Sequence, residues 1–205
     1  MASNKQSQTP AVRGRDKFAK YKSIINFLVK LYRILPTRLR NKKFEKSRNT
    51  RGKWGLVKRY ALLKSLAIRC GDNVAIYPGA YILNPQSMDI GNNVSIHPMC
   101  YLEGGPSGKK AGIIIGNDVS IAHGVTIMST SHHYDNPDIP IKDQDYIVGT
   151  VVLEDNVWLG AKVSVLCGIT VKTGCVIGAN SVVTHDTEEN GIYVGAPARK
   201  IKSRV

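Results

Sequence analysis

The stretch L-E-D-N-V-W-L-G-A-K-V-S-V-L-C-G-I-T-V-K-T-G-C-V-I-G-A-N-S-V-V (Leu153–Val183) decides the fold. An aliphatic residue returns at every sixth position: Leu153, Leu159, Val165, Val171, Ile177 and Val183. A helix face repeats near 3.6 residues and cannot hold a six-residue period. A short strand followed by a tight turn can. Three such units close a triangular coil of about 18 residues, and stacked coils bury their aliphatic residues in one column.

Upstream the same period runs in three blocks: Cys70, Ile76, Ile82; Ile90, Ile96, Leu102; Ile115, Ile121, Ile127. The phase jumps between blocks, so residues are inserted there. G-D-N-V (Gly71–Val74), G-N-N-V (Gly91–Val94), G-N-D-V (Gly116–Val119) and E-D-N-V (Glu154–Val157) share one phase. Gly and Asn suit turns that need positive φ. About five coils are expected from Cys70 to Thr184. Cys100 and Cys175 occupy the slot filled elsewhere by Val74, Val94, Val119, Val125 and Val157, and read as packing residues. The four cysteines show no zinc-like C-x-x-C spacing and are expected to be reduced thiols.

Charge divides the chain. Its formal net charge is +14, from 29 Lys and Arg against 15 Asp and Glu. Residues 1–69 hold 20 of the cations and 2 of the anions, leaving 9 and 13 for residues 70–205. Two regions are therefore expected: a basic, largely helical arm over 1–69 and a β-helix over 70–205. Within the arm, Ile24, Phe27, Leu28, Leu31 and Leu35 fall on one helical face, and Pro36 ends that helix. A second helix is expected around Trp54–Ile68, with a polar, charged segment between the two. Such an arm suits peripheral association with an anionic membrane surface, or simply capping of the β-helix. Nucleic acid is disfavoured, since no recognisable module is present. With no long apolar run and no signal-peptide core, the expected location is the cytoplasm, including the inner face of the membrane.

The ladder is interrupted between Ile127 and Leu153, giving an inserted loop over 128–152. It holds His132 and His133, with Asp135, Asp138, Asp143 and Asp145 nearby. A long loop on a rigid scaffold is where chemistry concentrates. An imidazole can take the proton of an alcohol as its oxygen attacks an acyl carbon. Farther along, the position after the repeat aliphatic reads Tyr77, His97, Ala122, Gly160, Gly178, thinning toward the C-terminus. This opens room for a thin ligand arm, with Gly160 and Ala161 as donors of backbone N–H groups. Arg199, Lys200, Lys202 and Arg204 form a basic cluster suited to phosphates.

N-V-W-L-G (Asn156–Gly160), V-I-G-A-N-S-V-V-T (Val176–Thr184) and V-G-A-P-A-R-K-I (Val194–Ile201) resemble the hexapeptide-repeat acyltransferases. The sugar O-acetyltransferases of that family, acting on galactosides, maltose, nodulation factors or capsular polysaccharides, are the nearest in pattern. The resemblance implies a left-handed parallel β-helix, homotrimeric assembly with sites between subunits, and acetyl-CoA as donor. It implies O-acetylation of a sugar hydroxyl in a capsular, exo- or lipopolysaccharide glycan or its precursor. It puts the catalytic base on His132, leaves His133 at a variable position, and sets Trp158 beside the acetyl site. Asp135 is the nearest candidate to orient His132; Asp143 and Asp145 stay open. Gly160, Ala161, Gly178, Ala179, Thr184, Arg199 and Lys202 match CoA-contacting positions. Lys202 departs from an arginine pair, keeping charge but losing the bidentate fork. A γ-class carbonic anhydrase on this scaffold would need a different histidine spacing, so no metal is expected. N-acetylation of an amino sugar or antibiotic, and a non-catalytic β-helix scaffold, are the alternatives.

Overall fold

The computed structural model describes residues 14–106 and 112–204. The start of the basic arm, residues 1–13, lies outside them. Strands begin at Arg69 and coil five times round a three-faced prism. The first face carries β1 (Arg69–Cys70), β4 (Met88–Ile90), β7 (Ile113–Ile115), β12 (Val151–Leu153) and β15 (Thr170–Val171). The second carries β2 (Ala75–Ile76), β5 (Ser95–Ile96), β8 (Ser120–Ile121), β13 (Trp158–Leu159) and β16 (Val176–Ile177). The third carries β3 (Tyr81–Leu83), β6 (Tyr101–Glu103), β9 (Thr126–Met128), β14 (Ser164–Val165) and β17 (Val182–Val183). All pairings along the faces are parallel and in register, as in Ile76↔Ile96↔Ile121↔Leu159↔Ile177.

The six-residue ladder is the core. Leu153, Leu159, Val165, Val171 and Ile177 are fully buried and Val183 is 1% exposed. Burying each such side chain contributes roughly 1.5–3 kcal/mol relative to exposure. The edge between the first and second faces explains the repeated G-D-N-V motif. Asn73, Asn93, Asp118 and Asn156 sit there at φ of 55–58°, and Gly174 takes the same role at φ 72°. Asn and Asp tolerate this left-handed region because their short polar side chains bond locally. Here they bond the next coil: Asn73 Nδ2 donates to Asn93 Oδ1 at 2.7 Å, and Asn93 Nδ2 to Asp118 Oδ1. Coil lengths follow from these steps. They are 20, 25 and 38 residues for the first three coils, then 18, as in the Lys172–Glu154 spacing.

The cysteines behave as packing groups. Cys70, Cys100 and Cys175 are buried. Burial pushes the Cys70 thiol up to about 12 and raises those of Cys100 and Cys167, away from the thiolate form a nucleophile needs.

Three helices precede the prism: α1 (Gly14–Ile34), α2 (Thr37–Ser47) and α3 (Gly52–Leu66). α3 plugs the open end, burying Ala61, Leu62 and Leu63 completely. Its Arg59, 1% exposed, donates from Nε to the Ile76 carbonyl at 2.8 Å and from Nη1 to those of Ser47 and Thr50 at 3.0 and 2.6 Å. α2 falls in the segment that the sequence presents as a charged connector. It has few apolar residues to signal it, and is pinned by buried Phe44 and by Arg40 donating to the Ser65 carbonyl. No helix among the described residues is long and apolar enough to cross a membrane. At the far end, β18 (Gly191–Val194) adds to the second face, and β19 (Arg199–Ser203) turns back antiparallel on it.

Candidate active site

The insertion at 128–152 is a hairpin rather than an open loop. β10 (Thr130–His132) pairs antiparallel with β11 (Tyr146–Val148), setting His132 opposite Tyr146. The root is anchored to the second coil: Thr130 Oγ1 donates to Glu103 Oε1 at 2.7 Å and Ser129 Oγ to the Glu103 carbonyl at 2.8 Å. The tip is tied by Gln144, whose Nε2 donates to the carbonyls of Asn136 and Ile139 at 2.8 and 2.9 Å. His132 is half-buried with its ring 4.4 Å from that of Tyr146. Its Nδ1 is sealed from solvent and has no hydrogen-bond partner among the described residues.

The carboxylate expectation is corrected. Asp135 Oδ2 lies 3.4 Å from Nδ1 of His133, not of His132, and its side chain is 79% exposed. Asp143 pairs with Lys142 at 3.3 Å, and Asp145 uses its carbonyl to accept from the His133 N–H at 2.9 Å. None of these carboxylates orients His132 within the chain. Tyr146, which the sequence reading missed, is the side chain against the imidazole. Only the cross-strand pairing identifies it, and the segment shows no strand alternation to predict that pairing.

The remaining predicted residues sit elsewhere. Gly160, Ala161, Gly178 and Ala179 lie on the edge between the second and third faces. The Gly160 N–H is consumed by the Ile177 carbonyl at 2.8 Å and that of Gly178 by the Tyr193 carbonyl at 2.8 Å. Gly160 is thus not the free donor expected from the sequence. Ala161 and Ala179 have no such bond to their N–H groups among the described residues and are donors that the last two coils offer on this edge. Glycine at 160 answers to close packing: a Cβ there would stand 2.7 Å from the Ala179 nitrogen. At the equivalent earlier positions, Tyr77 and His97 stack at 4.8 Å.

Trp158 lies on the outer surface of the second face, 54% exposed, in register with Ser120 and Val176. Thr184 follows β17, on the edge from which the hairpin leaves, and its hydroxyl is 2.8 Å from His185 Nδ1. The C-terminal basic cluster splits. Lys200 pairs with Glu188 at 2.6 Å, and Arg204 donates to the Gly174 carbonyl at 2.8 Å. Arg199 and Lys202 are exposed and form no ion pair among the described residues. Among those residues no three His, Cys, Asp or Glu cluster as metal ligands.

One family model matches residues 150–185, the bacterial transferase hexapeptide of six repeats. A Saccharomyces cerevisiae protein named as an acetyltransferase is 32% identical over 146 residues, 71% of this chain and 70% of that one. The chain belongs to the hexapeptide-repeat acetyltransferases. Within this family the galactoside O-acetyltransferase of Escherichia coli is 29% identical over 147 residues, 71% of this chain and 68% of its own. A Mycobacterium tuberculosis protein named as an acetyltransferase reaches 41% identity, yet the match spans 45% of this chain and only 31% of that longer relative. Among solved structures, a Vibrio cholerae hexapeptide-repeat acetyltransferase in complex with acetyl coenzyme A has a TM-score of 0.69 and 26% identity, covering 82% of this chain and 86% of that one. An N-acyltransferase from Bacillus cereus, AntD, solved with dTDP and 3-hydroxybutyryl-CoA, has a TM-score of 0.55 and 28% identity, covering 66% and 82%. The prism is accordingly the left-handed parallel β-helix of this family.

Proposed function

We propose that this acetyltransferase moves the acetyl group of acetyl-CoA to a sugar hydroxyl, in a glycan of the capsular, exo- or lipopolysaccharide kind or its precursor. The site lies between two protomers of a homotrimer. The observation that carries the reading is the separation of the two halves of the site. His132 leaves the edge between the third and first faces, whereas Ala161 and Ala179 lie on the edge between the second and third. A face and its turn take six residues, at most about 20 Å. One protomer's hairpin laid on its neighbour's other edge would join the halves and cover the hairpin's exposed Tyr134, Ile141, Tyr146 and Val148.

In the reaction, His132 Nε2 takes the hydroxyl proton as the sugar oxygen attacks the thioester carbonyl. The Ala161 or Ala179 N–H receives the oxyanion. As the C–S bond breaks, the imidazolium returns the proton to the thiolate, releasing the acetylated sugar and CoA. Trp158, Val176, Ile192 and Lys202 lie in one row across the second face. Three strand steps, about 14 Å, separate Trp158 at the acetyl end from Lys202 at the phosphate end. Arg199 stands beside it for the same phosphates, and Thr184 and Gly178 line the last coil.

N-acyl transfer to an amino sugar is the second reading, favoured by the AntD likeness. Thiol release from acetyl-CoA with hydroxyl and amino sugars as parallel acceptors separates the two. Turnover confined to amino acceptors overturns O-acetylation, and absence of any acetyl-CoA binding overturns both.

A further inference from the structure

The geometry points to a second working surface: the outer face of α1 is a docking face for an anionic lipid bilayer. α1 is apolar on two sides. Ile25 and Val29, with Phe18 and Tyr32, face the protein core. Tyr21, Ile24, Phe27, Leu31 and Ile34, spaced three or four residues apart, form a second stripe that is 49–78% exposed. Such spacing keeps all five on one side of the helix, along about 20 Å of its length. Nothing in the packing of the monomer explains them, because the core-facing stripe already holds the helix in place. Contiguous exposed apolar surface of this kind marks an interaction site.

Unpaired cations on the same three helices identify the partner. Lys30 and Arg33 on α1, Arg38, Lys42 and Lys46 on α2, and Lys53 on α3 are exposed and form no ion pair among the described residues. By contrast Lys22 is used internally, reaching Asp72 at 2.6 Å. A protein partner would need a matching acidic surface with an apolar groove. A bilayer of anionic lipid supplies both elements without further design, taking Phe27 and Leu31 below the headgroups and the lysines among the phosphates. Trp54, 60% exposed at the start of α3, is the residue type that settles at such an interface.

The test is flotation of the full chain with vesicles of phosphatidylglycerol and phosphatidylcholine in equal parts, against phosphatidylcholine alone. Binding is expected on the mixed vesicles only and to weaken as salt rises. The double variant Phe27→Ser, Leu31→Ser should bind about tenfold or more weakly. Lys30→Glu with Arg33→Glu should lose the preference for anionic lipid. Unchanged helical circular dichroism and melting confirm that each variant is folded. Equal binding to both vesicle types, or none, overturns the proposal. So does a fall in oligomer size in the Phe27→Ser, Leu31→Ser variant, which would make a second copy of this chain the occupant. No outcome depends on acetyl transfer, so the reading of the active site stands or falls separately.

Discussion

Two edges of the same prism have taken opposite courses. Between the second and third faces every coil turns in the same four residues, from Tyr77–Ala80 to Gly178–Ser181. Between the third and first faces the chain adds residues in each of the first three coils and ends its additions with the His132 hairpin. The uniform edge carries strain to keep its shape. Met99 and Lys162, neither Gly nor Asn, are held there at φ 61° and 58°, each costing about 1–2 kcal/mol. The variable edge bears no such constraint, because an insertion there displaces nothing in the column. The edge that varies in length and the edge that keeps its shape are thus different ones, and an insertion at the first leaves the second as it is.

The largest effect should come from the variable edge. His132→Ala is expected to lower turnover by about 10²–10⁴-fold without moving the melting temperature, whereas His133→Ala should leave turnover nearly intact; steady-state rates on acetyl-CoA decide it. A fall of equal size in both variants would break the assignment. The column should respond in the reverse sense. Ile121→Ala empties a fully buried site between Ile96 and Leu159 and is expected to cost about 2–5 kcal/mol in urea unfolding. Gly160→Ala tests the uniform edge, since its Cβ must push back the Ala179 nitrogen. A loss of about 1–3 kcal/mol is expected; a neutral result would show that the next coil yields there.

The smallest effect concerns the arm. Lys22 and Lys64 hold the Asp72 carboxyl below its ordinary range. A lowered carboxylate stabilises the fold at pH above its unfolded value, and that contribution disappears as pH falls through the lowered folded value. With Asp72 about a third exposed, solvent screening leaves about 0.5 kcal/mol. Asp72→Asn should lose this at pH 7 and match the unsubstituted protein once the pH is below the lowered Asp72 value; unfolding curves at both pH values check it.

The column was legible because its signal is local: six aliphatic residues in step from Leu153 to Val183 cannot serve another period. The hairpin was legible as the place where that period stops. Its interior was not. Asp135, two residues after His133, turns to that ring, and no spacing rule shows Tyr146 folding back onto His132. The small residues after the ladder have a packing reason that the sequence does not show. Gly160 is small because the coil above it is close, and the free N–H belongs to its neighbour Ala161. α2 escaped notice because Leu39 and Phe44 are its only large apolar residues.

Arg59 finally bears on how long such a column can grow. A parallel stack has no intrinsic last member, and every terminal coil is a template for another. At one end α3 covers that template, with the Arg59 guanidinium occupying the Ile76 carbonyl that an incoming strand would need. At the other, β19 runs antiparallel and breaks the repeat. The two together act as chain terminators, and the molecule stays a particle of fixed length instead of the first segment of a fibre.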